Sequence, residues 1–147
     1  MSSDLSATWG ALLKVHAALV PRLDRELQAT HGLPLTWYDV LLELNGAPDG
    51  RLTMGQLGSA VAVSRTRVSR VVDELTSAGM VTREPNPDDG RSAYAALTPA
   101  GRAALHKAAP TYVAAVRREF ADHLNAREAE VLAGALRKVL AAEAHGR

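Results

Sequence analysis

Residues 53–79, TMGQLGSAVAVSRTRVSRVVDELTSAG, restrict the fold of this chain more tightly than any other stretch. Thr53 stands three residues before Gln56. At that spacing a hydroxyl accepts from an orphan N–H at a helix start while the amide reaches back to the cap. A short helix from Met54 to about Val61 is predicted, then a tight turn, then a second helix from Arg65 to Ala78, with Ser64 as its N-cap and Gly79 as a left-handed C-cap. On the wheel of this second helix Val68, Val71, Val72 and Leu75 share one side. Thr66, Arg70, Asp73 and Ser77 fall almost opposite, with Arg67 and Ser69 on the flanks and Arg65 in the first turn. Such a helix packs its valine–leucine back onto a body and offers its front to a partner.

The residue types on that front suit DNA. An arginine fork reaches guanine O6 and N7 together, and Ser or Thr can meet bases or the thymine methyl. A helix N-terminus also favours phosphate through its free N–H groups. A solvated polar face is the plain alternative. The short helix and turn in front shift the balance, because the three pieces together make a helix-turn-helix.

Two strand candidates follow, MVTRE (Met80 to Glu84) and SAYAAL (Ser92 to Leu97), joined through the turn signal Asp89-Gly90. A hairpin after a recognition helix is a wing, which lies along the DNA backbone or dips into the minor groove. Arg83 and Arg91 are its cations. Asp89 would repel phosphate, so it either holds the Arg91 side chain in one rotamer or is a solvated turn acid. Arg51 and Thr53, just before the short helix, and Ser64 in the turn are further candidate DNA contacts; Arg51 either touches phosphate or is solvated surface.

The remaining elements are helical. A first helix is expected over residues 6–30, kinked at Pro21, and a second from Trp37 to Asn45. TWYD (Thr36 to Asp39) and NARE (Asn125 to Glu128) repeat the capping spacing. A helix from Pro99 to about His123, with Pro110 inside, and a last one from Ala126 to about Ala144 complete the chain. The expected fold class is mainly α with a small β-hairpin wing. Residues 1–147 form a single domain, with a winged helix-turn-helix lobe over residues 36–100. A helical dimerisation lobe comes from residues 5–32 and 101–145.

Composition narrows the function. Net charge is only +1, so a nucleic-acid surface must come from local clustering. The chain has no cysteine, which excludes disulfides, zinc–thiolate sites and thiol redox sensing. The five histidines show no HxxxH or HExxH spacing, and there is no phosphate-binding glycine loop or nucleophile elbow. No enzyme activity, metal or cofactor is therefore expected. No apolar run approaches the roughly 18 residues of a membrane span, and the N-terminus lacks a signal-peptide pattern. A cytoplasmic protein without a membrane partner is the simplest expectation.

Residues 52–102 resemble the winged helix-turn-helix core of the MarR family of transcriptional regulators. The wing signature carries the likeness: Pro87, Asp89-x-Arg91, Leu97-Thr98 and Gly101. The resemblance implies a DNA-binding regulator, most simply a repressor, acting as a homodimer on a palindromic operator in double-stranded DNA. It often implies release by a small ligand near the junction of the lobes. Trp9, His16, Trp37 and Tyr38 would gather there and suit an aromatic or phenolic effector. Core packing is the competing account of the same four residues. Two further alternatives stay open: a winged-helix protein-interaction module without DNA binding, and a regulator that acts constitutively without ligand.

Overall fold

The structure is a computed structural model that describes residues 3–63 and 65–146. The predicted cap Ser64 lies outside the described residues. The described residues form six α-helices and three strands: α1 (Ser3–His31), α2 (Leu35–Gly46), β1 (Arg51–Thr53), α3 (Met54–Ala60), α4 (Val68–Ser77), β2 (Val81–Pro85), β3 (Ala93–Leu97), α5 (Pro99–Glu119) and α6 (Ala126–His145). Pro21 and Pro110 lie inside α1 and α5, which run through them. Among the described residues no helix is long and apolar enough to cross a membrane.

The sheet has one strand more than the sequence predicts. β3 is central and pairs antiparallel with both neighbours, in the order β1-β3-β2. Arg51 lies opposite Ala96 and Thr53 opposite Tyr94 on one side of β3, while Val81 faces Leu97 and Glu84 faces Tyr94 on the other. β1 has only three residues, too few to show an alternating pattern. It forms because Gly50, at φ +66°, turns the chain back onto the hairpin.

The start of α2 differs from the capping box expected at Thr36. The N-cap is Pro34, whose carbonyl accepts from the N–H groups of Trp37 and Tyr38, both at 3.0 Å. The orphan N–H of Leu35 is satisfied from another helix, by Asp24 Oδ1 at 2.9 Å. With that donor already met and Leu35 buried, the helix begins before Thr36 and no side chain caps it. The boxes at Thr53–Gln56 and Asn125–Glu128 do form, each with both reciprocal bonds.

Two other boundaries move. Arg65–Arg67 form a 3₁₀ turn, so the α-helical part of the second motif helix starts at Val68 rather than Arg65. The helix after the wing stops at Glu119, because Phe120 takes non-helical angles (φ −135°, ψ −64°) before a short 3₁₀ turn at Ala121–His123. Gly79 ends its helix as predicted, at φ +76°.

The chain divides into two compact units, Val20–Tyr112 and Met1–Leu19 with Val113–Arg147. The divisions fall inside α1 and α5, whereas the sequence reading places the lobe boundaries near residues 36 and 100. The first unit has a continuous core built from Leu27, Leu41, Leu44, Leu57, Val72, Leu75 and Val81. Each such side chain fully removed from water contributes about 1.5–3 kcal/mol. The second unit is different in kind. No residue of α6 is buried, and Val131, Val139 and Leu140 are 61–66 % exposed, as are Leu5 and Trp9 of α1 at 61 %.

Candidate nucleic-acid interface

The outward helix is held by its apolar back. Val71, Val72 and Leu75 are buried, while Thr66, Arg67, Ser69, Arg70 and Asp73 are exposed. This is the division read from the wheel. Arg65 is exposed in the 3₁₀ turn that leads into α4. The helix axis is further constrained by a residue the sequence reading assigned elsewhere. Asp39, taken as the acid of a cap for α2, turns inward and is buried. Its Oδ2 accepts the backbone N–H groups of Ala62 and Val63 at 3.1 and 2.8 Å. One carboxylate of α2 therefore fixes the turn between α3 and α4. No local spacing reveals this, since the partners lie more than twenty residues away.

Acids and arginines alternate across the outer surface and pair there. Arg70 Nε lies 3.3 Å from Glu74 Oε1, an i,i+4 pair legible from spacing alone. The second oxygen of Glu74 accepts the indole N–H of Trp37 at 2.8 Å. Arg83 of β2 does not point away with the wing. Its guanidinium donates to Asp73 Oδ1 at 2.7 Å and approaches the Ser69 carbonyl at 3.5 Å, which ties the wing to α4. Arg51 bridges Glu84 at 3.3 Å and lies over the Tyr94 ring, 4.6 Å from its centroid. Thr53 is spent in part on structure, because its hydroxyl caps α3.

The wing loop is ordered by short polar side chains. Asn86 Oδ1 accepts from the N–H of Asp88, and Asp89 Oδ1 accepts from the N–H of Arg91, both at 3.0 Å. Asp89 thus grips the backbone of Arg91 rather than its guanidinium, and the Arg91 side chain is exposed at the loop. At the base of the hairpin, Thr98 explains the Leu-Thr-x-x-Gly part of the signature. Its hydroxyl donates to the Gly79 carbonyl at 2.7 Å and accepts from the Gly101 N–H at 3.0 Å. A Cβ on Gly101 would land on the Met80 carbonyl oxygen, well inside van der Waals contact, so a side chain is excluded there.

The four aromatic and histidine residues proposed for an effector divide between the two units. Tyr38 is buried, its ring centroid 4.5 Å from that of Tyr112. Burial and then the Tyr112 phenol raise the pKa of Tyr38, and burial and then Asp39 raise that of Tyr112. Trp37 is half-buried with its N–H on Glu74. Trp9 and His16 are exposed on α1 in the other unit.

A helix-turn-helix whose second helix is backed by a core and followed by an antiparallel hairpin defines a winged helix-turn-helix protein. Comparison with known proteins narrows the class. The MarR family profile matches residues 31–92. An uncharacterised HTH-type transcriptional regulator of Bacillus cereus is 30 % identical over 118 residues, covering 80 % of this chain and 77 % of its own length. The regulator YkoM of Bacillus subtilis is 34 % identical over 90 residues; the match takes in 61 % of this chain but only 57 % of YkoM. Among solved structures, a Streptomyces coelicolor MarR family transcriptional regulator in complex with DNA superposes with a TM-score of 0.86 at 32 % identity, covering 95 % of this chain and 88 % of that one. The chain belongs to the MarR family of transcriptional regulators.

Proposed function

We propose that this chain is a sequence-specific repressor that binds a palindromic operator as a homodimer, with α4 in the major groove and the β2–β3 wing along the backbone. The observation that carries the reading is the two-faced α4. Its back is in the core, and its front holds Arg70 with the side chain 78 % exposed, beside Thr66, Arg67 and Ser69. The DNA-bound Streptomyces relative supports the same partner. Homodimerisation is supported by α6 and the start of α1, whose Val131, Val139, Leu140, Leu5 and Trp9 are left exposed as large apolar surface. A two-fold partner also places two recognition helices about 34 Å apart, one for each half-site.

The test is a competition binding assay combined with a mass measurement at micromolar concentration. Arg70→Ala should weaken operator binding by about 1–3 kcal/mol and flatten sequence preference. Arg91→Ala should weaken all sequences evenly and reduce the salt slope by about 1 for each phosphate no longer neutralised. A stable monomer with full operator affinity sinks the dimeric reading. The reverse pattern between the two arginines sinks the assignment of their roles.

An aromatic or phenolic effector that engages Trp9, His16, Trp37 and Tyr38 belongs to the same proposal. Differential binding to the non-DNA state would lower operator affinity by roughly 5–150-fold. Constitutive repression is the competing reading, and the burial of Tyr38 together with the engaged N–H of Trp37 favours it. Tryptophan quenching followed by DNA titration separates the two: a ligand that quenches without changing DNA affinity rules out a regulatory site at these residues.

A further inference from the structure

We propose that Trp37 and Glu74 are positioning residues that set the side chain of Arg70 before DNA is met, so that base selectivity at α4 is governed in part from α2. The inference rests on the reading of Arg70 as the base-reading residue. Its physical basis is the division of labour within one carboxylate. Oε2 of Glu74 takes the indole N–H of Trp37 at 2.8 Å, and Oε1 meets Arg70 Nε at 3.3 Å.

An exposed i,i+4 ion pair by itself orders little, because both side chains swing freely and solvent screens the attraction. Trp37 changes that balance. Its ring packs against the buried core, so its N–H is a fixed donor, and a carboxylate held at one oxygen presents the other in a defined place. The geometry at the arginine also matters. Pairing through Nε leaves the end of the fork, Nη1 and Nη2, available to bond guanine O6 and N7. The neighbouring acid on the same face, Asp73, is engaged by Arg83 at 2.7 Å. Glu74 therefore has the distinct task of orienting Arg70. Its negative charge also lowers the attraction of Arg70 for any nearby phosphate, which trades non-specific affinity for selectivity.

The experiment uses the full chain and a duplex enriched by the wild-type chain from a random-sequence pool. Dissociation constants are measured for that duplex, for versions with single base-pair changes, and for unselected DNA, across a salt series. The proteins are wild type, Trp37→Phe, Glu74→Gln, Arg70→Ala, and Trp37→Phe combined with Arg70→Ala. Trp37→Phe keeps an aromatic ring and the net charge and removes the N–H together with part of the ring that packs against the core. It is expected to reduce the selectivity ratio about 2- to 12-fold, the range set by ordering one long side chain at the moment of binding, with the salt slope unchanged. Glu74→Gln is expected to reduce the ratio similarly while tightening binding to unselected DNA. In the Arg70→Ala background, Trp37→Phe should leave the ratio unaltered.

The relay alone is overturned if Arg70→Ala collapses selectivity but Trp37→Phe and Glu74→Gln preserve it. It is overturned equally if Trp37→Phe costs the same selectivity with and without Arg70, since that marks a general loosening of the lobe. Should Trp37→Phe fail to fold, the surface substitution Glu74→Gln, alone and combined with Arg70→Ala, decides by the same criteria. A wild-type chain that enriches no duplex, or an Arg70→Ala chain with full selectivity, overturns the underlying reading and the relay with it.

Discussion

Asp39→Ala should be the most damaging single truncation near the recognition helix. The Asp39 carboxylate accepts two backbone N–H groups, at 3.1 and 2.8 Å, in the turn that aims α4. A hydrogen bond to a charged group contributes about 1.5–3 kcal/mol. The turn is only part-buried, so water recovers some of the loss, and the expected cost is about 2–4 kcal/mol, below the full sum of two such bonds. Against a domain stability of about 5–15 kcal/mol, that is a large fraction. Asp39→Asn retains an acceptor without the charge and should cost about half as much. Thr36→Ala is the control, because Thr36 makes no cap bond and its loss should cost well under the roughly 1 kcal/mol of a true N-cap. Urea unfolding measures all three. The two Asp39 variants, but not Thr36→Ala, should lose operator affinity more than affinity for random DNA, because a loosened turn disorients α4. If Thr36→Ala costs about 1 kcal/mol and Asp39→Ala no more, the carboxylate is an ordinary helix cap and the clamp is refuted.

Gly101→Ala should destabilise by about 1–3 kcal/mol in thermal or urea unfolding, although glycine to alanine inside a helix ordinarily stabilises, because the new methyl meets the Met80 carbonyl; a stabilised variant contradicts the close approach. Burial, and then the nearby Asp39, raises the pKa of Glu43. The charged form is thus disfavoured in the fold, so the penalty is present above the folded pKa and is relieved as pH falls through it. Glu43→Gln should accordingly be more stable than wild type near pH 7, with the difference fading toward acid, and denaturation across pH checks the sign. Val139→Asp on α6 should shift the mass from dimer to monomer at micromolar concentration while leaving the circular dichroism of the chain helical, since Val139 is 66 % exposed within one chain; an unchanged dimer mass excludes this face from the interface.

Features set by neighbours along the chain were legible before any fold was known. The capping boxes at Thr53 and Asn125, the C-cap at Gly79 and the division of α4 into a buried valine–leucine back and an arginine front all follow from interactions within a turn or two. The wing was legible for the same reason, because Asp89 and Asn86 act on backbone two residues away. Long-range packing settled the rest. β1 exists because Gly50 turns the chain back to where β3 supplies its partners, and α2 begins at Leu35 because Asp24 of α1 satisfies the orphan donor there. Asp39 reads as the acid of a helix cap, yet it clamps a turn more than twenty residues on, while Glu74, which no sequence motif singles out, joins Trp37 to Arg70. A carboxylate has several lone pairs and no local preference strong enough to select among distant donors. Which donor it meets is fixed only when packing of the apolar faces brings the helices together.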